Sequence, residues 1–214
     1  MIKKSFIFKN FLKKNSKGVT LIELLVVFFI ILLLSAIVLL NYDEMSSKFA
    51  LERSAYKLAQ AIRKAEEMAM SAKECPCGTS GELIVPPGGY GIYFDLETSD
   101  KGYRLYADTQ PPNKGNEFYT PSDDNGLEDI SLEGGVIIKQ IKIKGGMFTI
   151  DSKKAGINFK PPSPTVKIKH GNENDNDDMV EIKLCVNNGC LPTDPDTKKI
   201  KTITVNKAGR VEVE

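Results

Sequence analysis

The pattern of apolar positions divides the chain into a long helical part and a part rich in short strands. Residues 19–40 are almost entirely apolar, and their single charge is Glu23. About 20 apolar helical residues span a bilayer's hydrocarbon core, so this run predicts a transmembrane helix. From residue 41 to 73, apolar residues instead recur at three- and four-residue steps, which predicts an amphipathic helix. The recurring positions are Ala55, Leu58, Ala59, Ile62, Ala65, Ala69 and Ala72.

Beyond Glu74, short runs of alternating polar and apolar residues predict antiparallel strands separated by turns. Gly145-Gly146 predicts a tight hairpin turn, and residues 206–209 predict a second hairpin at the end of the chain. The polar stretch Asp108–Leu132 predicts a surface loop. The predicted strands are Glu82–Val85, Tyr90–Phe94, Tyr103–Ala107, Val136–Lys144, Met147–Asp151, Gly156–Phe159, Thr165–Lys169, Val180–Val186, Lys199–Val205 and Arg210–Val213.

These elements predict an α+β fold: a long N-terminal transmembrane and spine helix, followed by an antiparallel, β-rich, sandwich-like head of two sheets. No proline precedes Pro76, so residues 19–73 are expected to form one helix. The predicted domains are a basic leader over 1–18, the helix over 19–73 (transmembrane over 19–40, amphipathic over 41–73) and a globular head over 74–214.

Charge is distributed unevenly along the chain. Residues 1–18 hold six lysines and no acid, whereas the remaining residues carry 23 basic and 28 acidic side chains. The positive-inside bias therefore places the N-terminus in the cytoplasm and the head outside. The acidic body disfavours nucleic acid as a partner, because phosphate binding depends on clustered Lys and Arg.

Three interpretations of the N-terminus differ in how they treat Glu23. A plain single-pass anchor explains the length and the lysines, but an acid within the apolar region costs about 2.5–3.5 kcal/mol on insertion scales. A secretory signal peptide cut near Ser35-Ala36 is the second interpretation, although its apolar stretch is longer than usual. The third rests on Lys17-Gly18 followed by Val19-Thr20-Leu21-Ile22-Glu23.

That sequence resembles the leader of type IV prepilins and type II secretion pseudopilins. The resemblance implies that a prepilin peptidase cuts between Gly18 and Val19, that Val19 is then N-methylated, and that the helix stays in the membrane. It also implies that Glu23 pairs with the Val19 amine of a neighbouring subunit and thereby sets the axial register of a filament. A carboxylate in a water-poor core is tolerated when an ammonium pairs with it.

The head resembles the GspH/FimT group of minor pilins and pseudopilins through "YGIYFD" (residues 90–95) and "ITVNKAGRVEVE" (residues 203–214). The resemblance implies a structural subunit of a type IV pilus or a type II secretion pseudopilus, held in the bacterial inner membrane by one span and assembled into a periplasmic or surface filament. The implied partners are prepilin peptidase/N-methyltransferase, other pilin or pseudopilin subunits, the inner-membrane assembly platform and the lipid bilayer.

Two rival functions stay open. A membrane-tethered β domain outside any filament is one, and a DNA-binding minor pilin of a natural-competence pilus is the other. For the DNA rival, basic residues of the head would have to gather on one face, whereas the plainer interpretation is that they are the solvated faces of amphipathic strands. These residues are Lys139, Lys142, Lys144, Lys167, Lys169, Lys198, Lys199, Lys201, Lys207 and Arg210.

The four cysteines are disulfide candidates, since an extracytoplasmic head lies where disulfides persist. Cys185 and Cys190 frame a four-residue turn, and a bond between them is the first expectation. Cys75 and Cys77 could close a small ring around Pro76, or one of them could tether the helix end to the other hairpin. Four cysteines allow three pairings, which sequence does not settle.

No metal, cofactor or enzymatic activity is expected. The spacing of the cysteine pairs fits the usual C-x₂₋₄-C pattern of zinc sites poorly. Asp175, Asp177 and Asp178 could hold calcium, but acid-rich loops are mostly solvated and the glycine-containing pattern of a calcium loop is missing. His170 is the single histidine, so no histidine-based dyad, triad or metal cluster can form.

Overall fold

The structure is a computed structural model that describes residues 18–78, 81–109, 115–146, 148–161, 166–170, 177–186 and 200–214. Over these residues it contains one α-helix, α1, and ten β-strands, which confirms the predicted α+β class with a β-rich head. The elements are α1 (Leu21–Met70), β1 (Gly89–Asp95), β2 (Gly102–Asp108), β3 (Asn125–Ser131), β4 (Val136–Gly145), β5 (Phe148–Ser152), β6 (Lys154–Phe159), β7 (Val166–Lys169), β8 (Met179–Val186), β9 (Ile200–Asn206) and β10 (Val211–Val213).

The chain divides into two compact units, Met1–Asp43 and Glu44–Glu214. In the described part of the first unit, the segment Leu21–Leu39 has a mean hydropathy of 3.1 and none of it is buried. By length and composition this segment can cross a membrane.

The strands of the second unit form two antiparallel sheets. Sheet 1 has the order β3-β2-β1-β6-β7 and sheet 2 has the order β10-β9-β8-β4-β5. In β4 the register shifts between Ile138 and Gln140. An extra residue at this bulge keeps Val136 and Ile138 on the same buried face as Ile141 and Ile143.

One hydrophobic core joins both sheets to the C-terminal half of α1. The helix buries an apolar stripe in which Leu58 and Ile62 are fully inaccessible. Burying side chains of this size contributes roughly 1.5–3 kcal/mol each, so this stripe fastens the helix to the sheets.

Ala72 does not belong to this stripe, and its predicted place there is wrong. The helix ends at Met70, and Ala72 has a positive φ of 46°. The N–H of Lys73 donates to the carbonyl of Met68 (3.0 Å) and the N–H of Ala72 to that of Ala69 (3.1 Å). This pair of bonds is the Schellman motif, which turns the chain out of the helix.

Two expectations about the head are corrected by the structure. Residues 82–85 do not form a strand: only Ile84 makes a bridge, to Cys75, and Leu83 is 61% exposed. The predicted loop Asp108–Leu132 contains strand β3. Alternation of polar and apolar residues did not indicate this strand, because Ile130 is its one buried residue. The two predicted hairpin turns are confirmed between β4 and β5 and between β9 and β10.

Candidate functional site

The segment that precedes α1 is exposed. Gly18, Val19 and Thr20 have no regular secondary structure, and the side chain of Val19 is 69% exposed. A methyl group added at Gly18 would meet nothing within 4 Å. Packing against the described residues therefore does not require a glycine at this position, and residues 1–17 lie outside the described part.

Thr20 and Glu23 together begin the helix. The hydroxyl Oγ1 of Thr20 accepts a hydrogen bond from the N–H of Glu23 (3.3 Å), so Thr20 is the N-cap residue and Glu23 occupies the third helical position. Thr-x-x-Glu is the capping-box pattern, and a carboxylate in the first turn also interacts favourably with the helix dipole. Glu23 therefore has a role within its own chain, and the role of Thr20 was missed although the spacing could have shown it.

Ser35 is the polar residue in the middle of the apolar segment. Its hydroxyl donates to the carbonyl of Ile31 (2.8 Å), one helical turn earlier. This bond satisfies the hydroxyl inside the helix, which lowers the cost of placing it among apolar surroundings.

The cysteines form at least one local bond. Cys75 and Cys77 are disulfide-bonded, with Cα atoms 5.2 Å apart, and both residues belong to the hydrophobic core. The backbone of Cys75 exchanges hydrogen bonds with Ile84 (2.9 and 3.0 Å), which holds the bonded segment beside the chain that enters sheet 1. Cys185 is also disulfide-bonded, and Cys190 lies outside the described residues.

The basic residues considered for DNA binding are spread over both sheets. Lys167 and Lys169 lie on β7 of sheet 1, and the other described members lie on β4, on β9 or in the turn between β9 and β10. Several already have acidic partners: Lys207 pairs with Asp178 (2.6 Å), Arg210 with Glu212 (2.5 Å) and Lys144 with Glu181. Lys198 and Lys199 lie outside the described residues.

The acids considered for calcium are partly engaged by protein groups. Asp177 contacts the ring Nδ1 of His170 (2.7 Å), and Asp178 accepts from Lys207 and from the N–H of Gly146 (3.0 Å). Asp175 lies outside the described residues. Within the described ranges, no three His, Cys, Asp or Glu side chains are grouped so that they could hold a metal ion.

The largest structural feature that sequence missed is an aromatic and charged cluster on sheet 1. The face of sheet 1 that carries Tyr93, Arg104 and Tyr106, here called the outer face, is distinct from the face that joins the core with α1. Arg104 donates to both carboxylate oxygens of Asp129 (2.5 and 2.9 Å) and to the hydroxyl of Tyr119 (2.6 Å). A cleft of about 460 Å³ is lined in part by these residues.

The electrostatics of this cluster stabilise the charged forms of Arg104 and Asp129, as in a structural ion pair, and do not favour a reactive acid or base. The hydrogen bond to Asp129 raises the pKa of Arg104, and the same bond lowers the pKa of Asp129. The guanidinium also lies 5.3 Å from the centre of the Tyr119 ring, a cation–π arrangement. Three guanidinium nitrogens are thereby used within the protein, so the pair ties β2, β3 and the Tyr119 segment together.

A buried pair of acids lies beside this cluster. Asp108 is fully buried and Asp124 is 8% exposed. The two oxygens of Asp124 accept from the N–H groups of Thr109 (3.0 Å) and Thr120 (2.6 Å). Burial, together with the nearby Asp108, raises the pKa of Asp124 from 3.8 to about 7.

The comparisons with known proteins identify one feature. The family model described as "Prokaryotic N-terminal methylation motif" matches residues 13–39, which include Gly18, Val19, Glu23 and most of the apolar segment. No curated protein and no solved structure matches the chain. The match therefore concerns the N-terminal segment and leaves the head without an assigned relative.

Proposed function

We propose that this chain is a minor pilin or pseudopilin, a structural and non-enzymatic subunit of a type IV pilus or of a type II secretion pseudopilus. The methylation motif over residues 13–39 supports a type IV pilin-like protein that is processed by prepilin peptidase. The observation that carries the proposal is this motif placed at an exposed Gly18–Val19 bond, directly before a helix that is apolar enough to cross a membrane.

Processing would follow from the position of that bond. Prepilin peptidase cuts between Gly18 and Val19, and the enzyme's methyltransferase activity modifies the new amine of Val19. Methylation keeps the positive charge of an amine. The mature chain then begins at Val19, two residues before α1. Its N-terminal ammonium lies four residues before Glu23, or about one helical turn.

Glu23 would act both within the chain and between chains. In the precursor it belongs to the capped first turn of α1, where the helix dipole favours a negative charge. In a filament it would pair with the Val19 ammonium of a neighbouring subunit and fix the axial register. Removing one partner of a buried ion pair typically costs about 3–5 kcal/mol, because the other charge is left unpaired.

The leader and the apolar segment support a location in the inner membrane of a bacterium. Six lysines before the segment place the N-terminus in the cytoplasm by the positive-inside bias, which leaves the head outside. Disulfide bonds at Cys75 and Cys185 suit an oxidising compartment. The proposed partners are prepilin peptidase, other pilin or pseudopilin subunits and the inner-membrane assembly platform.

Mass spectrometry of the mature protein tests the processing step. Co-expression with prepilin peptidase is expected to remove the 18-residue leader and to leave Val19, methylated or not, at the N-terminus. Omitting the peptidase is the control. A chain that still begins at Met1 in the presence of the peptidase, or that begins near Ile37 as after signal-peptide cleavage, would contradict the proposal.

Three variants separate the two roles of Glu23. Glu23→Gln removes the charge but keeps a residue that suits the capping box, whereas Thr20→Ala removes the cap, worth about 1 kcal/mol, and keeps the charge. Glu23→Gln and Glu23→Ala are both expected to reduce incorporation into sheared filaments, and Thr20→Ala is expected to retain it. Normal incorporation of Glu23→Gln would refute the charge pairing.

DNA capture is the alternative function. Its support is the number of head lysines, and it is weakened by their spread over two sheets and by the acidic partners of Lys144, Lys207 and Arg210. An electrophoretic shift of DNA by the full chain in detergent, lost as salt is raised, would favour this alternative. Absence of binding at low salt would remove it.

A further inference from the structure

An irregular segment between β2 and β3 covers part of the outer face of sheet 1. This segment, residues 115–124, is here called the strap. The ring of Tyr119 in the strap packs against Tyr93 and Tyr106 of the sheet, with ring centres 5.0 and 5.2 Å apart, and Phe118 meets the Tyr93 ring edge-on at 5.6 Å. The strap therefore shields the aromatic side chains of β1 and β2 from water.

Two buried acids hold the strap by its backbone. Asp108, at the end of β2, accepts a hydrogen bond from the N–H of Glu117 through Oδ2 (2.6 Å). Asp124, at the far end of the strap, accepts from the N–H of Thr120 (2.6 Å) and from the N–H of Thr109 beside β2 (3.0 Å). These carboxyl groups therefore fasten both the middle and the end of the strap to the end of β2.

The side chains of Asp108 and Asp124 are also hydrogen-bonded to each other. A carboxyl group donates such a bond only in its protonated form, so this arrangement holds one proton between two acids. Two ionised carboxylates in the same buried site would repel each other. The observed position of the strap therefore depends on a proton.

The strap also contains a strained residue. Glu117 has a positive φ of 60°, which is uncommon for a residue with a side chain. Such a conformation persists where surrounding contacts hold it. Its N–H is held by Asp108, and its carboxylate lies 3.4 Å from the Nζ of Lys160 and 3.8 Å from that of Lys169. Weakening the contact with Asp108 therefore favours release of the strap.

Other titratable groups pack around the strap and the two acids. They are Arg104 and Tyr106 on β2, Glu117, Tyr119 and Asp123 in the strap, Lys160 after β6 and Lys169 on β7. Burial raises the pKa of Tyr106 far above its usual value, so this phenol stays neutral. Arg104 donates to the hydroxyl of Tyr119 (2.6 Å), and Lys169 donates to the carbonyl of Asn116 (2.6 Å). Loss of the shared proton adds a second negative charge to the pair of acids.

We propose that the strap is a pH-sensitive cover of sheet 1: the proton shared by Asp108 and Asp124 keeps it closed, and loss of this proton releases it. Release uncovers the aromatic side chains of β1 and β2. It also removes Tyr119 and Pro121 from the wall of the cleft on the outer face. The switch rests on contacts within the head and not on the proposed filament role, so either can fail while the other stands.

The direction of the switch follows from the two states of Asp124. In the closed strap, burial and the neighbouring Asp108 raise its pKa to about 7, whereas release into water returns the pKa towards 3.8. Between these two values the closed state holds a proton that the open state has lost. The ratio of open to closed strap therefore rises by up to about tenfold per pH unit over this range, and levels off above pH 7.

Hydrogen–deuterium exchange of the full chain in detergent micelles, followed by mass spectrometry from pH 5 to 8, tests the switch. Each rate is divided by the intrinsic rate of an unstructured peptide at the same pH, which gives a protection factor. Peptides from the strap are expected to lose protection by up to about tenfold per pH unit between pH 5 and 7. At every pH they should be less protected than peptides from β8, which is paired on both sides by β4 and β9, because local opening precedes global unfolding.

Two variants identify the acids responsible. Asp124→Asn and Asp108→Asn each leave a single acid with no proton to share, so the protection of the strap is expected to become independent of pH. Asp123→Asn, which changes the adjacent exposed acid, is the matched control and should keep the wild-type slope. Using two variants keeps the test available if one of them does not fold, and the wild-type profile requires neither.

Three results would overturn the proposal. The first is wild-type protection of the strap that stays constant or rises from pH 5 to 7. The second is protection of the strap equal to that of β8, which would show that it opens only by global unfolding. The third is a wild-type slope that persists when either Asp108 or Asp124 is replaced.

Discussion

Asp124→Asn is expected to flatten the pH dependence of the protein's stability between about pH 4 and 7. Burial and the neighbouring Asp108 raise the pKa of Asp124 in the folded protein from 3.8 to about 7, while the N–H donors of Thr120 and Thr109 oppose that shift. The folded state therefore holds a proton that the unfolded state has already lost over this range. Stability is then full below about pH 4 and falls as the pH rises through 7.

The magnitude follows from the size of the shift. Each pKa unit corresponds to 1.36 kcal/mol, and solvent near this carboxyl screens part of the effect, so the loss of stability between pH 4 and pH 8 is at most about 4 kcal/mol. Asp129 and Asp178 do not titrate in the same pH range. The hydrogen bond with Arg104 lowers the pKa of Asp129, and the one with Lys207 lowers the pKa of Asp178. Their contribution to stability is therefore lost only at more acidic pH.

The assay is urea unfolding of the full chain in detergent micelles at several pH values, followed by the near-UV circular dichroism of its tyrosines. Wild-type stability is expected to fall from pH 5 to 8, and the difference between wild type and Asp124→Asn reports the titration of Asp124 together with its effect on the neighbouring Asp108. Asp123→Asn, which alters the adjacent exposed acid, is the control and should keep the wild-type slope. Stability that is constant or rises over this range in the wild type would refute the reasoning.

Two further outcomes can be measured on the same protein. Ala72→Gly is expected to raise the free energy of unfolding by about 0.5–1 kcal/mol, because glycine adopts the positive φ of this position without strain, whereas the same change inside a helix costs about 1 kcal/mol; an unchanged or lower stability would contradict the assigned helix end. Peptide mapping without reduction is expected to recover Cys75 bonded to Cys77 and Cys185 bonded to Cys190, and a crossed pairing would overturn both assignments.

The strands that local alternation predicts are those with one buried face. In β4 the buried positions Val136, Ile138, Ile141 and Ile143 are separated by partly exposed residues, and the two adjacent polar residues Lys139 and Gln140 mark the change of phase that becomes a bulge. Such a pattern reports burial directly, since successive side chains of a strand point to opposite faces.

Strand β3 shows why strands without a regularly buried face could not be predicted from alternation along the sequence. It buries Ile130 and little else, so its residues do not alternate. What stabilises it comes from distant parts of the chain, as in the ion pairs of Glu128 with Lys64 and of Asp129 with Arg104. The error at residues 82–85 is the reverse: an apolar run that lies exposed beside a single bridge.

The candidate sites likewise differ in whether their residues are neighbours along the chain or are brought together only by the fold. The N-terminal motif is contiguous, so Gly18, Val19 and Glu23 could be singled out from sequence, and the Thr20 cap was readable from the same five residues. The cleft on sheet 1 joins residues from β1, β2, β3 and the segment around Tyr119, which only the strand order brings together. Spacing along a chain carries no signal for a site of this kind.

The attachment of α1 to the head has a mechanical consequence. Ties between them are distributed from Arg53, paired with Glu133 (2.8 Å), through Lys64 to Lys73, whose carbonyl accepts from the hydroxyl of Tyr90 (2.5 Å). Between Arg53 and the helix end at Met70, about 27 Å of helix, tension along the axis loads these contacts together in shear. A force across the axis would instead break these contacts one after another. The attachment of α1 to the head therefore resists force along the helix axis better than force across it.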